Sequence, residues 1–150
     1  MWVFTSRIIE DKMRIFATLL FVLLGLSLHV NTISAQVTYV VNTNDDTNDG
    51  NCNAAHCSLR EAILAANSDG GQASRIEFQI PGTNPQVIDL TATLPNLTDG
   101  NTTIDATTQS GLIGDIVLDC SNLPAVNDHV IEVLADRTRI FGLEIRNFDV

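Results

Sequence analysis

Lysine occurs once in these 150 residues, at Lys12, tryptophan and tyrosine once each, and aromatic residues make up 5% of the chain. Beyond residue 35 there is no lysine at all, and five arginines face sixteen Asp and Glu, a formal charge of −11. A surface of that sign repels nucleic acid and anionic lipid, so neither is an expected partner. Long apolar runs are equally scarce. The one from Ile15 to Leu28 is shorter than the roughly 20 residues a spanning helix needs. Of the three histidines, neither His56 nor His129 has a Ser, Cys or Asp arrangement that reads as a nucleophilic triad.

What is present begins with a leader. Lys12 and Arg14 flank Met13, the apolar run follows, and Ser34-Ala35 offers small residues before Gln36. This is the order of a secretory signal peptide, so residues 1–35 are expected to be removed and the mature chain to lack an integral span. His29 leaves with the leader. Glu10-Asp11 is poor chemistry for the basic segment of a signal, which points to Met13 as the true start. A secreted or cell-surface location follows. In that oxidising setting Cys52 and Cys57 are expected to form a disulfide, worth roughly 2 kcal/mol for so short a loop. A metal site from Cys52, His56 and Cys57 lacks a fourth ligand at zinc spacing. Cys120 reads as a small buried residue.

From Cys57 to Ala66 the chain reads as a helix tied at its start. Ser58 is a good N-cap, and Glu61 three residues on completes a capping box. Leu59, Ala62, Ile63 and Ala66 recur at i, i+3, i+4 and i+7, which gathers them on one face. Asn67 to Gly71 supplies the stop.

The same residues carry a resemblance. Tyr39-Val40-Val41-Asn42-Thr43, the Asp-, Asn- and Thr-rich stretch to Cys52, and His56-Cys57-Ser58-Leu59-Arg60-Glu61-Ala62-Ile63 together resemble the CSLREA domain, named for the letters at positions 57 to 62. The resemblance covers about thirty residues. It implies an N-terminal module of secreted or surface-attached bacterial proteins, usually followed by a right-handed parallel β-helix. It implies no catalytic activity.

Val37 to Val41 is β-branched and aromatic, and Ile76, Phe78 and Ile80 alternate with polar residues, so both segments read as strands. From Val87 onward, short apolar cores follow at Val87–Leu90, Thr102–Asp105, Ile116–Asp119, Val130–Val133 and Ile140–Ile145, with centres about 14 to 15 residues apart at first. No stripe of helical period separates them, so they do not read as βαβ units. An antiparallel β-sandwich and a parallel β-helix both fit. The segment Thr138 to Phe148 resembles a β-helix coil of the I-x-G-L-x-I-x-N-F type, and the 22 residues from Leu118 to Ile140 match one coil. The expected fold is therefore all-β: a leader, a module over 36–83 whose short amphipathic helix caps an open coil end, and the first coils of a right-handed parallel β-helix over 84–150. Because no polar cap follows the last strand, the coils are expected to continue past Val150.

Asp45, Asp46 and Asp49 resemble half of a calcium loop. His56 stands where the bidentate Glu of an EF-hand would be, which leaves a looser Ca²⁺ site. No other cofactor is expected. Arg60 and Glu61, in the first turn of the helix, read as structural rather than catalytic. Glu144 and Arg146 read as a surface ion pair. The functional expectation is a structural, adhesive or binding role toward extracellular glycans or surface components. The alternative is the N-terminal part of a β-helix polysaccharide lyase or glycoside hydrolase.

Overall fold

The computed structural model describes residues 35–110, 112–124 and 129–149. Residues 1–34 of the expected leader 1–35, and with them the signal-peptide expectation, lie outside the described residues. Among the described residues, seven strands and one α-helix follow in the order β1 (Val37–Val41), α1 (Leu59–Ala66), β2 (Ser74–Phe78), β3 (Gln86–Asp89), β4 (Thr102–Asp105), β5 (Ile116–Asp119), β6 (Arg139–Phe141) and β7 (Leu143–Arg146). A short 3-10 helix, Ala106–Gln109, follows β4. The strands form two sheets, β1-β2-β4-β6 and β3-β5-β7, and every pair of neighbours is parallel.

This is an α/β arrangement of two small parallel sheets and a helix, and it corrects the all-β expectation. Among the described residues the strands close into no β-helix or other solenoid, and the uniformly parallel pairing also removes the antiparallel sandwich. Two findings explain the difference. First, β1, α1 and β2 form a βαβ unit, because α1 lies on the crossover between two parallel neighbours. The helix packs against β1 and β2 and buries its apolar face in the common core. Second, no fixed repeat exists. In the four-stranded sheet 37 residues separate Tyr39 from its partner Ile76, 28 separate Ile76 from Ile104, and 36 separate Ile104 from Ile140. The 22-residue spacing from Leu118 to Ile140 is coincidental, since Leu118 pairs with Ile145 in the other sheet.

Alternation does the local work. In β2 and β4 the first and third residues are buried and the second and fourth are half-buried, which puts Ile76 and Ile104 side by side in the core. Leu59, Ala62, Ile63 and Ala66 of α1 join the same buried cluster as Phe78, Ile88, Leu97, Ile116 and Leu118. The Tyr39 hydroxyl, on β1, donates to the Ala65 carbonyl and ties the helix to the sheet edge. Val130–Val133, expected to be a strand, contributes only an isolated bridge between Val133 and Leu97.

The expected strand Ile140–Ile145 is two strands in different sheets, divided at Gly142. That glycine has φ +75, and a Cβ there would stand 2.7 Å from Thr107 Cγ2 and 3.0 Å from the Thr107 nitrogen. Only glycine fits the turn that carries the chain from one sheet to the other. Gly142→Ala is accordingly expected to cost about 1–3 kcal/mol in urea unfolding. Gly50→Ala, at φ +94 with nothing within 4 Å of a Cβ, isolates the backbone contribution and should cost less.

Candidate functional site

The loop ahead of α1 is held from two sides. The Cys52–Cys57 disulfide is formed, with 4.2 Å between the Cα atoms, and the Asn53 amide donates to the His56 carbonyl at 2.9 Å across the small ring. Asn42, at the end of β1, braces the other side. Its amide nitrogen donates to the Asn53 and Ala54 carbonyls, and its side-chain oxygen accepts from the Cys57 N–H at 2.8 Å. The disulfide is compatible with an extracellular location.

At the mouth of the helix the capping box is complete. The Ser58 hydroxyl accepts from the Glu61 N–H at 3.2 Å, and Glu61 Oε2 accepts from the Ser58 N–H at 2.9 Å. Glu61 does more than cap. Its side chain is 1% exposed, and Oε1 accepts from the Asp49 N–H at 2.6 Å, which fastens the acidic loop to the helix.

His56 lies among three carboxylates. Its Nε2 is 3.2 Å from Asp45 Oδ2, and its Nδ1 is 3.0 Å from Glu61 Oε2 and 3.8 Å from Asp49 Oδ2. Although Nδ1 is buried and close to Glu61, it makes no well-aligned hydrogen bond. Burial opposes the imidazolium, but the hydrogen bond with Asp45 and the charges of Glu61, Asp45 and Asp49 outweigh it and lift the His56 pKa above the ordinary 6.5. Burial likewise works against ionised Glu61. The Ser58 and Asp49 N–H groups and the neighbouring imidazole prevail, holding Glu61 below its ordinary 4.5. For Asp45, burial is overcome by hydrogen bonds from Thr43, Thr47 and His56, and its pKa falls to about 2.

These directions set the contribution of this cluster to the pH profile of the metal-free protein. The raised His56 pKa contributes stability that is complete below pH 6.5 and is lost as pH rises through the folded value. The lowered values of Glu61 and Asp45 contribute stability present above 4.5 and 3.8 and lost as pH falls. With EDTA present, the urea midpoint is therefore expected to be highest between pH 4.5 and 6.5. The decline from there to about pH 8.5 should be much reduced in His56→Gln. A wild-type midpoint that stays level over that range would contradict the assignment.

The three residues read as a calcium loop point to different partners. Asp45 faces His56 Nε2, and Asp49 lies on the Nδ1 side of the same ring. Asp46 turns inward. Its side chain, 2% exposed, takes both Nε and an Nη of Arg60, at 2.9 and 2.8 Å, and also accepts from the Thr91 N–H and hydroxyl. Arg60 in turn donates to the Ala92 and Thr93 carbonyls. Arg60 and Glu61 thus serve different structures, one tying the loop after β3 and the other the loop before the helix. Glu144 and Arg146 form their ion pair at 2.6 Å on β7.

Several organising residues carried no local signal. Asn67, expected only to end the helix, donates to the Asn96 carbonyl and accepts from the Thr98 and Asp99 N–H groups, so it shapes the loop between β3 and β4. Asn42 reaches Cys57 across 15 residues and Asp46 reaches Thr91 across 45. No described helix is long and apolar enough to cross a membrane.

No protein-family profile, characterised protein or solved structure matches the chain.

Proposed function

We propose that this chain is a secreted or cell-surface bacterial protein with a structural or adhesive role, and that residues 36–83 are a CSLREA-type module. The observation that carries the reading is the Cys52–Cys57 disulfide, set at the first turn of a capped helix in a chain that begins with a signal-like leader. A disulfide in that position serves a protein that works in an oxidising compartment. The side chains that would draw attention as catalytic support the same reading. Glu61 holds backbone amides, Arg60 holds Asp46 and two carbonyls, and Glu144 pairs with Arg146. Extracellular glycans and surface components are the partners this reading favours.

The test is export of the full chain in a bacterial host. The expected product begins at Gln36 and, after denaturation without reductant, alkylates at one cysteine of three, Cys120. Retention inside the cell with an intact leader and three reactive thiols would overturn the reading. Purified export product should co-sediment with isolated cell-surface polysaccharide without producing new reducing ends or unsaturated sugars. Such products would favour a carbohydrate-active enzyme instead.

A further inference from the structure

We propose that Asp49, His56 and Glu61 form a binding site for a divalent transition-metal ion, best suited to zinc, with Asp45 as the carboxylate that orients the histidine. One donor atom from each of the three ligand residues lies within 4.8 Å of the other two. Zinc bound at about 2.0–2.1 Å in tetrahedral geometry sets its ligand atoms roughly 3.3 Å apart. The separations from His56 Nδ1, 3.0 Å to Glu61 Oε2 and 3.8 Å to Asp49 Oδ2, bracket that edge.

The second observation is the state of the imidazole. Nδ1 is buried and stands 3.0 Å from Glu61 Oε2 without a well-aligned hydrogen bond, while Nε2 faces both oxygens of Asp45 at 3.2 and 3.3 Å. With Nε2 as the N–H, the neutral ring directs the Nδ1 lone pair toward two carboxylates, where a metal ion can take the place of the proton that Nδ1 carries in the imidazolium. A carboxylate on the far nitrogen of a ligating histidine is the usual support for such a bond, since it fixes both tautomer and ring orientation.

The ligands are also held in place before any ion arrives. Glu61 is fixed by the Ser58 and Asp49 N–H groups, Asp49 accepts from the Asn51 N–H through Oδ1 and leaves Oδ2 toward the ring, and His56 is next to a disulfide-bonded cysteine. One imidazole and two carboxylates suit zinc better than Ca²⁺ or Mg²⁺, which prefer oxygen alone. Water would complete the coordination. This donor set differs from both sets read in the sequence, since it uses neither cysteine and neither Asp45 nor Asp46 as a ligand.

The experiment titrates ZnCl₂ into the full chain with its disulfide intact, by calorimetry and by NMR of the histidine ring protons. One zinc per chain is expected, with the His56 resonances shifting to completion at one equivalent. Asp49→Asn and His56→Gln should each weaken binding at least tenfold, with circular dichroism confirming that they fold. Asp45→Asn should weaken it about tenfold, as loss of an orienting partner does. The wild-type NMR titration stands without any variant. Unshifted His56 resonances at saturating zinc, binding unchanged in His56→Gln, or equal affinity for CaCl₂ would each overturn the site.

Discussion

Asp46→Ala is expected to lower the unfolding free energy by about 3–5 kcal/mol, the range found when one partner of a buried ion pair is removed. Asp46 is almost wholly buried, and Arg60, its partner, is 14% exposed. The carboxylate accepts two bonds from Arg60 and two from Thr91, so it joins the loop after β1, the first turn of α1 and the loop after β3. Removing it leaves a guanidinium that still donates to the Ala92 and Thr93 carbonyls but has lost its carboxylate. Those two contacts remain, which places the expected loss toward the lower end of the range. The double variant Asp46→Ala/Arg60→Met discriminates between causes. If the cost is the stranded charge, removing both partners recovers a large part of it. Urea unfolding followed by circular dichroism measures both, and a single-variant loss below about 1 kcal/mol, the level of an exposed pair, would refute this account.

The elements that the sequence made legible are those whose signal is local. β1, β4 and β5 fall on their expected spans, because a run of alternating or β-branched residues reports one buried face directly. The capping box was legible for the same reason: Ser58 and Glu61 are three residues apart and satisfy each other. Connectivity was not legible. Alternation records that a face is buried and is silent about which strand lies beside it. Ile140 and Ile145, five residues apart in one apolar run, therefore pair with Ile104 and Leu118 in separate sheets. A single residue, Gly142, makes the division, and what bars a side chain there is a neighbour 35 positions away, Thr107. The site divides along the same line. The Cys52–Cys57 tie spans five residues and was expected, whereas Asp46 meets Thr91 across 45. His56 has no catalytic partners legible in sequence, because the carboxylates that surround it come from either side in sequence and converge only when Asn42 and Glu61 fold the loop back on the helix.

Glu61→Ala is expected to destabilise the protein by roughly 4 kcal/mol. Its two oxygens accept from the backbone N–H groups of Ser58 and Asp49, and hydrogen bonds to a charged group are worth about 1.5–3 kcal/mol each. Both donors are then left without the carboxylate, and His56 loses the nearest of its negative neighbours. Glu61→Gln keeps the shape but has one accepting oxygen for two donors, and its amide nitrogen must face the other N–H, so it should lose about half as much. Hydrogen exchange separates this from general loosening. The Ser58 and Asp49 amides should lose protection first in both variants, while amides of β4 and β5, distant from the loop, should change only by the drop in global stability. The acid limb of the pH profile offers a second check. Because the folded Glu61 pKa lies below 4.5, the wild type loses that contribution as pH falls, and Glu61→Ala should show a shallower decline below pH 4.5. If the two amides keep their protection in Glu61→Ala, the carboxylate is not what fastens the acidic loop to the helix.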